Sequence, residues 1–345
     1  MKSKNLLAII LGALLIAVLV SGCAAPAAPA ADAPAADEAA TEEPAEEAAS
    51  EEASAEAIYI PVISKGFQHQ FWQAVQKGAE QAAADYGVEI TFEGPETEAM
   101  VDKQVEMMQT ALDKAPAAIA LAALDSQALI PLLQKAQEAG IPVVGFDSGV
   151  DSDIPVATAA TDNVAAAALA ADKMAELIGG SGKVAVIVHD QTSRTGIDRR
   201  DGFLNQMEAE YPDIEIVNVD YGAGDHLKST DLAKAVMQAN PDLNGYFGAN
   251  EGSIIGVLNA AKELGREGDL VIIGYDSGLQ QMEAIRSGLE AGAITQDPIG
   301  IGYKAVEAAV MALNGEEVPE MIDTGFHWYD ASNIDSDTIA PLLYE

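Results

Sequence analysis

Several residue types are scarce, and each scarcity excludes a class of protein. Cys23 is the only cysteine, so no disulfide can form within the chain. Lys and Arg number 18 against 55 Asp and Glu, a formal net charge of −37 at pH 7. Without the two leader lysines and the ten acids of residues 24–57, residues 58–345 carry −29 (16 basic against 45 acidic residues), which disfavours nucleic acid and anionic headgroups as partners of the folded part. The four histidines have no metal-ligand spacing, and P-loop and nucleophile-elbow motifs are missing. We therefore expect no metal, no cofactor and no catalytic residues.

Only one long apolar run is present, LLAIILGALLIAVLV at residues 6 to 20, and two lysines precede it. The run is short for a membrane-spanning helix and has the length of the apolar part of a secretory signal peptide. Small residues then lead into Cys23 in VSGC, which resembles a bacterial lipobox. The sequence thus predicts a signal peptide over residues 1–22 and a lipid on Cys23 that anchors the protein to the membrane. The alternative is an uncleaved anchor in which the cysteine is incidental.

Residues 23–57 begin with Cys23 and otherwise contain only Ala, Pro, Ser, Thr and acids. A segment of this composition cannot bury enough apolar surface to offset the entropy lost on ordering. We expect an acidic, extended tether.

From residue 58 onward, short apolar runs alternate with amphipathic helical patterns. The runs expected to be strands are IYIPVI (58–63), AIALAAL (118–124), PVVGF (142–146), VAVIVH (184–189), IEIVNV (214–219), GYFGA (245–249) and LVIIGY (270–275). Continuous apolar strands joined by helices indicate parallel sheets that are covered on both faces.

An internal repeat indicates two domains. VVGFDSG at 143–149 recurs as IIGYDSG at 272–278, and each copy is preceded by a strand, a polar strand end and a helix. The fold class predicted is therefore α/β, with two similar doubly wound parallel-sheet domains.

Polar side chains follow several of the predicted strands, where ligands of parallel α/β sheets bind. They are Ser64, Asp125, Asp147, Asn250 and Asp276. Two domains that present these strand ends to each other would form a cleft for a small polar ligand. The alternative for Asp147 and Asp276 is that each opens a turn and caps the next helix.

Two residue doublets are further candidates. One of Arg199 and Arg200 can donate two hydrogen bonds to ligand hydroxyls, and the other can pair with a neighbouring aspartate. Their spacing alone does not show which arginine has which role. Phe71 and Trp72 can stack against the apolar face of a sugar or pack in the core. Because adjacent residues of a helix point in different directions, one of them can do each.

These motifs together resemble the substrate-binding lipoproteins of sugar ABC importers. The segments that carry the resemblance are the lipobox, the acidic tether, VISKGFQHQFWQAVQKGAE, GFDSG, RRDGF, GANEGS, IGYDSG and AITQDPIGIGYKA. The subgroup is the ribose-binding-protein-like type of periplasmic binding protein, whose fold is shared with LacI-type ligand domains.

The resemblance implies an inter-domain sugar site. The ligand-binding residues predicted from the strand ends and the resemblance together are Ser64, Lys65, His69, Phe71, Trp72, Asp125, Asp147, Ser148, Arg199, Asn250, Asp276 and Gln296. The resemblance selects Arg199 over Arg200. Ribose binders carry an arginine where Ser148 stands and an aromatic residue where Gly224 stands, so the resemblance implies a neutral polyhydroxylated ligand without implying ribose.

The resemblance also implies a three-strand hinge near residues 160–163, 296–298 and 325–327. The predicted domains are 58–161 plus 297–325, and 162–296 plus 326–345. The function expected is extracytoplasmic capture of a monosaccharide or polyol by a monomer that delivers it to an ABC permease.

Three other functions stay open to different degrees. One alternative is a sensory binder that presents a sugar or a furanosyl signal to a chemoreceptor or kinase. A repressor would need a DNA-binding domain where this chain has a signal and a tether. A hydrolase would need a pair of catalytic carboxylates, for which Asp147 and Asp276 are the only evident pair.

Overall fold

The structure, a computed structural model, describes residues 57 to 344. The predicted signal peptide, Cys23 and nearly all of the tether lie outside these residues. Within them, no helix has both the length and the apolar character needed to cross a membrane.

Six strands form the first sheet. They are β1 (Tyr59–Ile63), β2 (Glu89–Glu93), β3 (Ile119–Leu121), β4 (Val143–Phe146), β5 (Ala157–Ala160) and β11 (Met321–Asp323). Their order is β11-β5-β4-β3-β1-β2, and every neighbouring pair is parallel.

Six further strands form the second sheet. They are β6 (Gly182–Val188), β7 (Ile214–Tyr221), β8 (Gly245–Gly248), β9 (Val271–Tyr275), β10 (Gly292–Gln296) and β12 (Phe326–Tyr329). Their order is β12-β10-β9-β8-β6-β7, with β12 antiparallel to β10 and the other pairs parallel. Both sheets repeat one strand order, so the predicted fold class is confirmed.

Helices cover both faces of each sheet. Those against the first sheet are α1 (Gln70–Tyr86), α2 (Val101–Asp113), α3 (Ile130–Glu138) and α9 (Pro298–Leu313). Those against the second sheet are α4 (Asn163–Ile178), α5 (Arg194–Glu210), α6 (His226–Ala239), α7 (Glu251–Leu264) and α8 (Leu279–Ser287). We call the first sheet with its helices the first lobe and the second sheet with its helices the second lobe.

The start of α1 is fixed by its packing on α9. Val75 and Ala79 are fully buried in the core of the first lobe. A Cβ added at Gly78 or at Gly302 would collide with the backbone of the facing helix, so the two glycines permit this close approach. The packing holds the first turn of α1, which carries two predicted site residues, against the sheet edge.

The repeated segments occupy equivalent places in the two lobes. β4 and β9 hold the same position in their sheets, and each is followed by an aspartate with a left-handed backbone. The φ angle is 53° at Asp147 and 81° at Asp276, a region that residues other than glycine seldom adopt and that is enriched at ligand sites.

The chain passes between the lobes three times. It enters the second lobe after β5, returns to the first after β10 and leaves it again after β11. The domain limits given by the sequence stay predictions.

Candidate functional site

A cavity lies between the lobes, at the carboxyl ends of the parallel strands. Nine predicted site residues line it, namely Lys65, His69, Phe71, Trp72, Asp147, Arg199, Asn250, Asp276 and Gln296. Three residues that were not predicted also line it, namely Glu98, His189 and Thr195. The empty space between these side chains, part of which is open to solvent, is about 270 Å³.

Three predicted site residues do not line the cavity. The Ser64 hydroxyl donates to the carbonyls of Gly66 and Glu93 and so fixes the loop after β1. Asp125 accepts hydrogen bonds from two backbone amides of its own turn, at residues 127 and 128. Ser148, the residue after Asp147, is fully buried, and its hydroxyl has no partner among the described residues. Each of the three lies in a loop.

The two adjacent aromatics of α1 are both buried and both reach the cavity wall. Trp72 is 1% exposed and packs edge-to-face against Phe71 and Phe146, with ring centroids at 5.0 Å and 6.4 Å. Its indole N–H is not free for a ligand, because it donates to Glu98 Oε1 at 2.7 Å. The aromatic pair therefore forms one rigid wall and positions a carboxylate.

Arg199 is held rigidly from three sides. Its Nε donates to Asn163 Oδ1 at 2.8 Å, its Nη1 donates to the Ala249 carbonyl at 3.0 Å, and the guanidinium lies 3.7 Å from the ring centre of Tyr275. Burial opposes its charge, but the nearby Tyr275 and Asp276 raise the pKa of Arg199, so it stays cationic. Arg200, by contrast, forms a half-exposed ion pair with Asp201.

Asp276 is fixed by donors of its own lobe. Its Oδ2 accepts from the Glu251 amide at 2.8 Å, and its Oδ1 accepts from Gln296 Nε2 at 2.8 Å. The other amide atom, Gln296 Oε1, is buried without a partner among the described residues. Asn250 uses its side-chain oxygen to cap α7 at Ser253. The polar groups of the second lobe that line the cavity thus also make hydrogen bonds within their own lobe, which hold them in place.

Asp147 faces this wall from the first lobe and differs from Asp276 in having no hydrogen bond to its carboxylate among the described residues. It is 5% exposed. Burial raises the pKa of Asp147 from 3.8 to about 6, and the positive charges of Lys65 and Arg199 limit the rise. Its carboxylate is therefore costly to bury unless a donor reaches it.

Lys65 joins the two lobes across the cavity. Its Nζ donates to Thr195 Oγ1 at 3.0 Å, and the same hydroxyl lies 3.0 Å from His189 Nε2. Burial and the charge of Lys65 lower the pKa of His189 to about 3, so this imidazole is neutral at physiological pH. The His189 Nδ1 atom has no partner among the described residues.

Backbone and side-chain contacts between the lobes flank the cavity. Both carboxylate oxygens of Glu251 accept from the first amides of α1, those of Gln70 and Phe71, at 3.1 Å and 3.2 Å. On the other side, the Ser126 amide donates to the Thr192 carbonyl at 2.9 Å. The lobes are thus closed over the cavity.

No group of three or more His, Cys, Asp and Glu side chains within residues 57 to 344 is arranged to hold a metal ion. The polar atoms of the cavity belong to carboxylates, amides, an ammonium, a guanidinium, a hydroxyl and imidazoles, all of which suit hydrogen bonds to a neutral polar molecule.

Comparison with known proteins identifies the family. Residues 60–317 match the periplasmic binding protein domain. The chain belongs to the periplasmic binding protein family. Among curated members it is similar to the D-allose-binding periplasmic protein of Escherichia coli (strain K12), with 27% identity over 267 residues, which cover 75% of this chain and 86% of that protein.

Two solved structures of periplasmic binding proteins resemble it more closely. An ABC transporter solute binding protein from Agrobacterium vitis with bound D-fucose is 36% identical, with a TM-score of 0.81, and the match covers 83% of this chain and 100% of that one. A carbohydrate transporter solute binding protein from Agrobacterium radiobacter, in complex with D-arabinose, is 30% identical at a TM-score of 0.81, and the match covers 84% and 100% of the two chains.

Proposed function

We propose that this protein captures a monosaccharide or polyol between its lobes, outside the cytoplasm, and delivers it to an ABC permease. The observation that carries the proposal is the facing pair Asp147 and Asp276, placed by equivalent strands in equivalent backbone conformations. A carboxylate accepts hydrogen bonds from neighbouring hydroxyls, and Arg199 lines the same cavity with guanidinium N–H groups beyond the two that donate to Asn163 and Ala249. The sugars bound by the relatives support the same ligand class.

The charges of the site favour a neutral ligand. Glu98, Asp147 and Asp276 contribute three carboxyl groups, while Lys65 and Arg199 contribute two permanent cations. An added phosphate or carboxylate would face more negative than positive groups at close range, which opposes binding. The proposed ligand is therefore a neutral, unphosphorylated monosaccharide or polyol.

The proposed mechanism is ligand-coupled closure of two domains, with limits at 58–161 plus 297–325 and 162–296 plus 326–345. Neither lobe alone supplies all the polar groups of the cavity. A sugar that contacts both lobes stabilises the closed arrangement by its differential contacts, and a permease would recognise that arrangement. In this proposal, a lipid on Cys23 keeps the protein at the membrane and residues 23–57 are the tether.

A sugar panel tests the proposed function. Thermal-shift measurements on residues 58–345 with aldopentoses, aldohexoses, ketohexoses and polyols, followed by isothermal titration calorimetry, are expected to give saturable one-to-one binding of a neutral sugar. The sugar should be recovered unchanged. A panel without any stabilising sugar contradicts the proposal, and so does hydrolysis or oxidation of the bound sugar.

Removing the charge of Glu251 is expected to weaken sugar binding about tenfold, because a carboxylate at a helix N-terminus is worth roughly 1 kcal/mol or slightly more when buried. Glu251→Gln leaves the α7 fold intact but weakens the contact with the first amides of α1, which exists only while the lobes are closed. Calorimetry checks this. Glu263→Gln, also on α7 but paired with Lys234 within the second lobe, is the matched control and should change the Kd less than twofold. Equal effects of the two substitutions would contradict the closure role of Glu251.

A further inference from the structure

Glu98 is the cavity residue that sequence patterns gave least reason to expect. It lies in the loop between β2 and α2, whereas the predicted site residues follow other strands or start helices. It is 7% exposed, so nearly all of its carboxyl group is removed from bulk water. A buried carboxylate away from the duplicated strand ends needs a physical explanation, because burial without hydrogen-bond partners is costly.

The carboxylate of Glu98 is positioned by the core of the first lobe. Its Oε1 accepts the hydrogen bond from Trp72 Nε1 at 2.7 Å, and Trp72 is itself locked between Phe71 and Phe146. Burial alone would raise the pKa of Glu98, but the charges of Lys65 and His69 outweigh it and lower the pKa, so the group is ionised. The site thus holds a fixed anion.

Most of the hydrogen-bonding capacity of this anion remains unused. A carboxylate has about four acceptor positions. Among the described residues, the indole N–H is the only donor within hydrogen-bond distance, and His69 Nε2 lies farther away, at 3.8 Å from Oε1. A Cβ added at Gly224 would come within 3.3 Å of Oε2, so the glycine keeps the second oxygen from being crowded. Glu98 is therefore able to accept from a molecule in the cavity.

We propose that Glu98 determines specificity by accepting a hydrogen bond from one particular hydroxyl of the sugar. This inference rests on the proposed function and adds a recognition group on the first-lobe wall beside Asp147. A site built around a rigid, buried acceptor rejects a ligand that lacks the matching hydroxyl, because the acceptor is then left without a donor. The ligand class selected is a neutral sugar with a free hydroxyl at that carbon.

Single-position analogues test this role. For each of D-fucose, D-arabinose, D-ribose and D-allose that binds, calorimetry compares the parent sugar with its set of deoxy and deoxyfluoro analogues, since fluorine keeps the size of a hydroxyl but cannot donate. In the wild-type protein we expect loss of one specific hydroxyl to weaken binding roughly tenfold or more because it removes a charge-assisted hydrogen bond. Glu98→Asp withdraws the carboxylate by one methylene. In Glu98→Gln and in Glu98→Asp, the analogue that lacks this hydroxyl should bind only roughly threefold more weakly than the parent sugar, or less.

Selectivity separates recognition from a purely structural role. A structural effect of Glu98 would weaken the parent sugar and all its analogues by one common factor, leaving every ratio unchanged, and that result would overturn the proposal. The ratios at the remaining carbons serve as internal controls and should stay constant in both variants. Binding of no sugar by the wild-type protein would overturn the proposed function and this assignment together, whereas wild-type binding with unchanged ratios overturns only the assignment to Glu98.

Discussion

Replacing Arg199 with methionine is expected to weaken sugar binding about a hundredfold or more, or roughly 3 kcal/mol, the cost of truncating one member of a buried hydrogen-bonded charge network. Methionine keeps much of the apolar stem but removes the guanidinium from the cavity wall. It also leaves Asp147 and Asp276 without their nearest fixed cation in the second lobe. Calorimetry with the sugar selected by the panel measures the loss.

The neighbouring arginine is a closely matched control. Arg200→Met removes the same group one position along α5, but Arg200 pairs with Asp201 at the surface, where ion pairs contribute roughly 0 to 1 kcal/mol. We expect less than a twofold change in Kd. Arg199→Lys keeps the charge but loses the fork and the stacking on Tyr275, and should also bind weakly. Comparable binding by the Arg199→Met and Arg200→Met variants would contradict the site described above.

Replacing Asp147 with asparagine is expected to favour closure of the ligand-free protein. In the closed arrangement, burial raises the pKa of this carboxyl group from 3.8 to about 6, which corresponds to roughly 3 kcal/mol of opposition to closure at pH 7. In an open cleft, water would hydrate the carboxylate and remove this opposition. The Asp147→Asn variant has no charge to desolvate at this position, so its closed-to-open ratio without sugar should rise up to about a hundredfold. Small-angle X-ray scattering or fluorescence transfer between the lobes measures that ratio.

The sign of the accompanying pH dependence follows from the raised pKa. Between pH 3.8 and about pH 6 the closed form binds a proton that the open form releases, so in the wild-type protein acid favours ligand-free closure. This contribution is lost as the pH rises through about 6. His226 stacks on His69 across the lobes at 5.7 Å, and burial lowers the pKa of His226, so protonation of His226 in acid has the opposite effect. The difference between wild type and Asp147→Asn in the closed-to-open ratio without sugar reports the contribution of the Asp147 carboxylate. A difference that stays constant between pH 4.5 and 7.5 would contradict this role.

The same substitution should impair sugar binding, because an amide offers one acceptor oxygen where the carboxylate offers two. A variant that is more closed without sugar and yet binds sugar more weakly would distinguish this mechanism from a simple loss of folding. The charge of Asp147 thus couples capture to closure: an ionised carboxylate opposes an empty closed cleft and favours a filled one.

The repeat in the sequence predicted the two-lobed fold and the two facing aspartates. Both follow from short stretches of sequence, a strand and the turn after it. The segments at 143–149 and 272–278 contain an apolar strand and the turn that follows it, and the structure places them equivalently. The resemblance also selected Arg199, which lines the cavity while Arg200 does not. Strand ends therefore predict part of the lining of the cavity.

Sequence patterns do not point to every residue that lines the cavity, above all where a residue is placed by a distant partner. His189 follows β6 directly and so stands at a strand end, but a histidine without metal-ligand spacing carries no further signal in the sequence. Glu98 follows β2, whose polar EITFE pattern does not look like a buried strand, and its position depends on Trp72, 26 residues away in the sequence. Asp125 shows the converse: it follows the predicted strand at 118–124, but β3 ends at Leu121, and two amides of its own turn satisfy the Asp125 carboxylate locally.

The most direct test of the central claim is mass spectrometry of the small molecule released when the purified protein is denatured, combined with calorimetry on the refolded, ligand-free chain. The account predicts a neutral monosaccharide or polyol that rebinds at one molecule per chain and that Arg199→Met fails to retain. Release of an amino acid, a nucleotide or a phosphorylated sugar that rebinds in the same way would contradict it. So would a refolded protein that binds no neutral sugar.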